Sequence, residues 1–101
     1  MPQVLQAILF RLNPGQSRNY LALSAEIYQD FLLRQPGFLG REVLQAENGT
    51  WHELVRWEDP PASDEANRVW ERHALARRFE AMLQPGSLSV TRLLSLRYDD
   101  A

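Results

Sequence analysis

Two of the chain's three Pro-Gly pairs, Pro36-Gly37 and Pro85-Gly86, each stand between a run of helical period and a run of strand period. No other feature of the chain narrows its fold as much. Proline removes a backbone donor and forbids α geometry to the residue before it, and glycine then supplies backbone angles closed to other residues. Each pair therefore ends a helix and opens a strand. Ahead of the first of these two, Tyr20, Leu23, Ile27, Phe31 and Arg34 recur three to four apart, with Leu21, Tyr28 and Leu32 beside them. That spacing predicts an amphipathic helix over 18–35 with a broad apolar face. After the pair, 38–47 predicts a strand, and Gly40 within it suggests a bulge or the close approach of another group. Asn48-Gly49 is a hairpin signal, since both residues tolerate positive φ. The returning strand, 51–58, has Trp51, Glu53, Val55 and Trp57 on one face and His52, Leu54, Arg56 and Glu58 on the other. The Trp/Val face reads as the buried one, under a helix.

The second of these Pro-Gly pairs closes a longer run. The segment DPPASDE breaks the strand, Ser63 is the expected N-cap, and Asp64 and Glu65 suit the positive first turn. A helix is predicted over 64–82, kinked near His73, with its apolar stripe through Ala66, Val69, Trp70, Leu75, Phe79, Met82 and Leu83. The last strand, 88–98, alternates Leu88, Val90, Leu94 and Leu96. The first strand, 4–12, is apolar on both faces and ends in the turn residues of NPGQS. The order strand, helix, strand, strand, helix, strand is the ferredoxin-like βαββαβ arrangement, an α+β fold with a four-stranded antiparallel sheet and its helices on one face.

That arrangement has a consequence for assembly. Two helices cover one face of a four-stranded sheet, yet the first and last strands are apolar on both: Leu5, Ala7 and Leu9 against Val4, Ile8, Phe10 and Leu12, and Leu93 against Leu88, Val90, Leu94 and Leu96. A monomer would leave the uncovered apolar face in water, so a homodimer closed by two-fold symmetry is expected. The 101 residues suffice for one domain, 1–101, and a domain this size buries only about two-thirds of its unfolded surface. The net charge of −2 and scattered arginines leave no electrostatic footprint for nucleic acid. With no cysteine, thiol catalysis, disulfides and thiolate metal sites are excluded. The two histidines and 13 acids show no metal-binding spacing such as HExxH, and no glycine-rich phosphate loop is present. No run reaches the length of a membrane span and the N-terminus has no basic leader, so the expected location is the cytoplasm.

The segments PGFLGREVL (36–44), ELVRWED (53–59) and ANRVWERHALARRFEAM (66–82) together resemble the antibiotic-biosynthesis monooxygenase family of the dimeric α/β-barrel superfamily. The resemblance spans nearly the whole chain. It implies a dimer whose two sheets face each other, with a pocket in each protomer between sheet and helices. It implies oxygenation of a small electron-rich aromatic, such as a hydroquinone, without metal, flavin or other cofactor. Haem-degrading relatives place an iron-ligating His where this chain has Glu80, so haem degradation lacks its ligand. The alternative is a small-ligand-binding or stress-response dimer with no turnover, because fold membership does not settle activity.

Each candidate residue carries a structural reading beside the functional one. Trp70 matches a pocket-lining Trp of relatives, and equally suits core packing on its stripe. Trp57, Phe79 and Tyr20 would shape an aromatic cavity with it. Asn67 stands three residues before Trp70, whereas quinone-forming relatives carry Asn four before theirs, where this chain has Ala66; an exposed Asn is the preferred reading. His73 offers proton transfer near neutral pH, or is an exposed helix residue. His52 and Arg56 share a strand face from which they could bind and deprotonate a phenol. The preferred reading for them is an ion pair with Glu42 or Glu47.

Overall fold

The computed structural model describes residues 1–101. The chain forms β1 (Val4–Phe10), α1 (Ser17–Asp30), a short 3-10 turn (Leu32–Arg34), β2 (Phe38–Gln45), β3 (Trp51–Trp57), α2 (Pro60–Glu71), α3 (Ala74–Glu80) and β4 (Ser89–Leu94). All strand pairs are antiparallel, in the order β2-β3-β1-β4. This is the ferredoxin-like α+β architecture expected from the chain's punctuation.

The first Pro-Gly joint is tightly built. The expected single helix over 18–35 ends at Asp30, and a 3-10 turn carries the chain on to Pro36. Gly37 sits at φ +82°, and its carbonyl accepts from Glu58 N at 2.8 Å. The bulge foreseen at Gly40 lies there: the register passes from Phe38–Trp57 to Gly40–Arg56, leaving Leu39 without a partner. At the hairpin only Gly49 has positive φ, at 91°. Asn48 instead stays at negative φ and accepts Thr50 N with its side chain, 3.0 Å away. The turn is thus wider than a two-residue connection, with Ala46 and Thr50 still paired at 2.8 Å.

Two expectations for the second helical run are corrected. Asp59, not Ser63, caps α2: its carboxylate accepts from Ala62 N at 2.9 Å, and Pro60-Pro61 fill the first helical positions. Proline there surrenders only a donor that no helix could use, and its fixed φ suits the first turn. Ser63 lies one turn in, fully buried, with no partner for its hydroxyl. The predicted kink at His73 is a complete break. His73 has extended backbone angles and caps α3 by accepting from Leu75 N on Nδ1, 3.1 Å away.

Alternation settles which side of the sheet is covered. Val4, Gln6, Ile8 and Phe10 of β1 lie with Trp51, Glu53, Val55 and Trp57 of β3 under the helices. Tyr20, Leu23 and Ile27 meet them from α1 and Phe31 from just past its end, and Ala66, Leu75 and Phe79 from α2 and α3. Phe10, Tyr20 and Phe79 pack ring against ring, with centroids 5.0 to 6.3 Å apart. The opposite face carries Leu5, Ala7, Leu9, Leu54 and Leu93, with no helix over it; Leu93 is 47% exposed.

Candidate active site

Between the sheet and the helices the packing leaves a cavity of about 340 Å³, lined by 16 residues of which 11 are hydrophobic. Its floor is the covered face of β1 and β3, with Gln6, Ile8, Glu53, Val55 and Trp57. Its walls are Ile27, Phe31 and Leu32 on one side and Ala66, Asn67, Trp70 and Phe79 on the other. The exposed residues Glu71, Glu80, Leu88 and Val90 form the rim. Trp70 is held against Phe31, with centroids 5.0 Å apart, and stacks on the ring of His73 at 6.3 Å and 14°. Trp70 therefore belongs to the packing and to the cavity wall together.

The floor is not uniformly apolar. Glu53, only 5% exposed, is the deepest charge of the cavity. Its Oε2 accepts from the Tyr20 hydroxyl at 2.5 Å, and its Oε1 faces the Arg41 guanidinium at 3.4 Å. Arg41 reaches it from β2 because Val43 pairs with Glu53 and Arg41 with Val55, which puts Arg41 and Glu53 on one face, a diagonal apart. The same guanidinium donates to Ser24 O at 2.9 Å. Burial first, and then the Glu53 charge beside it, pushes the Tyr20 hydroxyl far above the ordinary phenol range. Tyr20 thus stays protonated and remains a donor to the carboxylate.

A second polar chain runs alongside. Trp57 Nε1 donates to Gln6 Oε1 at 3.3 Å, and Gln6 Nε2 donates to Asn67 Oδ1 at 3.2 Å. Gln6 is diagonal to Glu53 across β1 and β3, so the amide and the carboxylate share one end of the floor. Asn67 is part of the cavity wall, where the preferred sequence reading had it simply exposed.

The structure brings together four of the eight residues singled out from sequence. Trp57, Asn67, Trp70 and Phe79 line the cavity. Tyr20 stands behind Glu53 and reaches the cavity only through it. His73 stands behind Trp70, its Nδ1 committed to capping α3. His52 and Arg56 lie on the uncovered face of β3, away from this cavity. Arg56 forms no ion pair with Glu42 or Glu47; its guanidinium donates to Gln3 Oε1 at 3.4 Å. Gln6, Arg41 and Glu53 were not among the sequence candidates. Glu53 did leave a signal, an acid in phase with Trp51, Val55 and Trp57 on the face read as buried, where an ionised group needs a partner.

Comparison with known proteins agrees with this fold. No curated protein matches by sequence. Among solved structures, a variant of SnoaB, a cofactor-independent oxygenase from Streptomyces nogalater, superposes with a TM-score of 0.77 at 15% identity over 97% of each chain. The monooxygenase ActVA-Orf6 from Streptomyces coelicolor, solved with nanaomycin D, gives 0.77 at 16% identity over 99% of this chain and 92% of that one. A protein of unknown function from Nitrosomonas europaea, NE2512, gives 0.69 at 12% over 100% and 96%. At these identities the likeness is one of fold. A family model described as antibiotic biosynthesis monooxygenase matches residues 3–82, which takes in every element from β1 to α3. The chain belongs to the antibiotic biosynthesis monooxygenase family.

Proposed function

We propose that the protein is a cofactor-independent monooxygenase acting on a small electron-rich aromatic, hydroquinone-like in character, and that it works as a homodimer. The observation that carries this reading is Glu53, a buried carboxylate on the floor of an aromatic-walled cavity. A cavity lined only by apolar side chains would favour ligand storage. An acid–base group at its deepest point, within reach of a bound hydroxyl, supports proton transfer. A substrate ring lies in the cavity against the Trp70 and Phe79 wall, over Val55, with a hydroxyl toward Glu53.

Glu53 takes the hydroxyl proton, leaving an electron-rich anion. The anion gives one electron to O₂, and the radical pair recombines to form a C–O bond at a hydrogen-bearing ring carbon ortho or para to the hydroxyl. The resulting hydroperoxide loses water as its O–O bond and the ring C–H bond break, leaving a quinone carbonyl. One oxygen atom enters the ring and the other leaves as water with the C–H proton and the hydroxyl proton. Water is kept from the anion by the Trp70 and Phe31 wall.

Oxygen uptake with dihydroxynaphthalenes that have a free ortho or para position tests this. One O₂ should be consumed per quinone formed, and Trp70→Ala should raise KM about tenfold or more through lost apolar contact. No uptake across the panel would overturn the oxygenase reading and favour a non-enzymatic binding protein.

The dimer is supported by the uncovered sheet face, where Leu5, Leu9, Leu54 and Leu93 form an apolar surface on β1, β3 and β4. Sedimentation at micromolar concentration should give the mass of two chains, and Leu54→Asp, at the centre of that face, should give one. A single-chain mass for the unaltered protein would remove the dimer.

A further inference from the structure

The charges that line the cavity are all of one sign. Glu53 lies on the floor and Glu71 and Glu80 on the rim, and no Lys, Arg or His is among the 16 lining residues. Arg41 balances Glu53 from behind, but its guanidinium is turned to Glu53 Oε1 and Ser24 O and is not part of the lining. Glu53 accepts one hydrogen bond on Oε2 from Tyr20 and one contact on Oε1 from Arg41. A carboxylate oxygen carries two lone pairs, so acceptor capacity remains on each. No neighbouring donor on the floor uses it. One Gln6 amide N–H is directed to Asn67, and the Trp57 N–H to Gln6; neither is bonded to Glu53.

A ligand that fills the cavity also takes water away from this carboxylate. If the ligand offers a hydroxyl or N–H at that point, the lost hydration is replaced by a charge-assisted hydrogen bond. If it offers a methyl ether, the buried charge is left short of donors. If it carries its own carboxylate, like charges are brought together in a desolvated space, past two further carboxylates at the rim.

We infer that Glu53 is the residue that selects the ligand of this cavity: it admits neutral aromatic molecules that present a hydrogen-bond donor to it, and rejects anionic aromatics of the same size. The inference rests on the cavity being the substrate site of the proposed oxygenase. It adds the rule by which that site discriminates.

Calorimetric titration of the unaltered full chain at pH 7 with 1-naphthol, 1-methoxynaphthalene and 1-naphthoate tests it without any substitution. The naphthol should bind about tenfold or more tighter than its methyl ether, and also about tenfold or more tighter than the naphthoate. The indole N–H resonances of Trp57 and Trp70, which line the cavity, should shift on naphthol binding, while Trp51, which does not line it, serves as the internal reference. Glu53→Gln, accepted as folded when its cooperative thermal unfolding is retained, should bring the naphthol-to-naphthoate ratio close to one. Equal binding of naphthol and ether, naphthoate binding as tight as naphthol, or no shift at Trp57 and Trp70 would each overturn the inference. Absence of oxygen uptake with the selectivity intact would remove the oxygenase reading alone. Oxygen uptake without the selectivity would remove this inference alone.

Discussion

Replacing Glu53 with leucine should lower the stability of the fold by about 3–5 kcal/mol, the usual cost of removing one member of a buried ion pair. The reason is what remains. Arg41, with its side chain 9% exposed, keeps Ser24 O as a partner but loses the carboxylate. Tyr20, fully buried, loses the acceptor of its hydroxyl. A buried donor without an acceptor forfeits its hydration with nothing in return. The change should appear as a lower urea midpoint with an unchanged slope. A second substitution separates charge from packing. Arg41→Met in the Glu53→Leu background should recover most of the loss, because it removes the uncompensated cation. A double variant no more stable than Glu53→Leu would mean that the guanidinium is sufficiently served by Ser24 and solvent. Glu53→Leu should also abolish oxygen uptake, since the proton acceptor is gone.

Gly37→Ala should cost about 2–4 kcal/mol, a large effect for a single methyl group. Two causes add. Gly37 sits at φ +82°, and an L-residue there costs about 1 kcal/mol. A Cβ on Gly37 would also lie 2.6 Å from the Ala62 Cβ and 2.9 Å from Glu58 Cγ. The Glu58 side chain can swing aside, but the Ala62 Cβ is fixed by the first turn of α2, and overpacking of this kind costs about 1–3 kcal/mol. For a chain of this length the melting temperature should fall by roughly 10–25 °C. Gly86→Ala is the control. It shares the positive φ, +74°, but a Cβ there meets nothing within 4 Å. It should cost about 1 kcal/mol only. Ala62→Gly should restore part of the Gly37→Ala loss, and no restoration would remove the steric share of the argument.

The two glycines make the same point about what can be read where. Pro36-Gly37 and Pro85-Gly86 look alike in the chain, and both mark a helix ending before a strand. That much is local, because proline and glycine act on their own backbone. The strand-helix order, the bulge at Gly40, the hairpin at Gly49 and the buried side of β3 were legible for the same reason: period and turn chemistry are properties of neighbours in sequence. The helix start was misplaced because Pro60-Pro61 reads both as a breaker and as a first turn. Only the Asp59 carboxylate folding back to Ala62 N decides between them.

The site was less legible. Trp57, Asn67, Trp70 and Phe79 could be named from residue type and resemblance, but not the group that gives their cavity its chemistry. Glu53 acquires its character from Tyr20, 33 positions earlier, and from Arg41, 12 positions earlier on another strand. His52 is its immediate neighbour in sequence, yet the pleat sends that imidazole to the opposite face. By itself the sequence determined the order of elements and the apolar character of both sheet faces, which follow from period and turn chemistry among near neighbours, and the family, which follows from motifs spread over most of the chain. Only the tertiary structure decided which polar groups share a cavity, because burial and pairing depend on strand register and helix placement, and these join residues far apart in the chain.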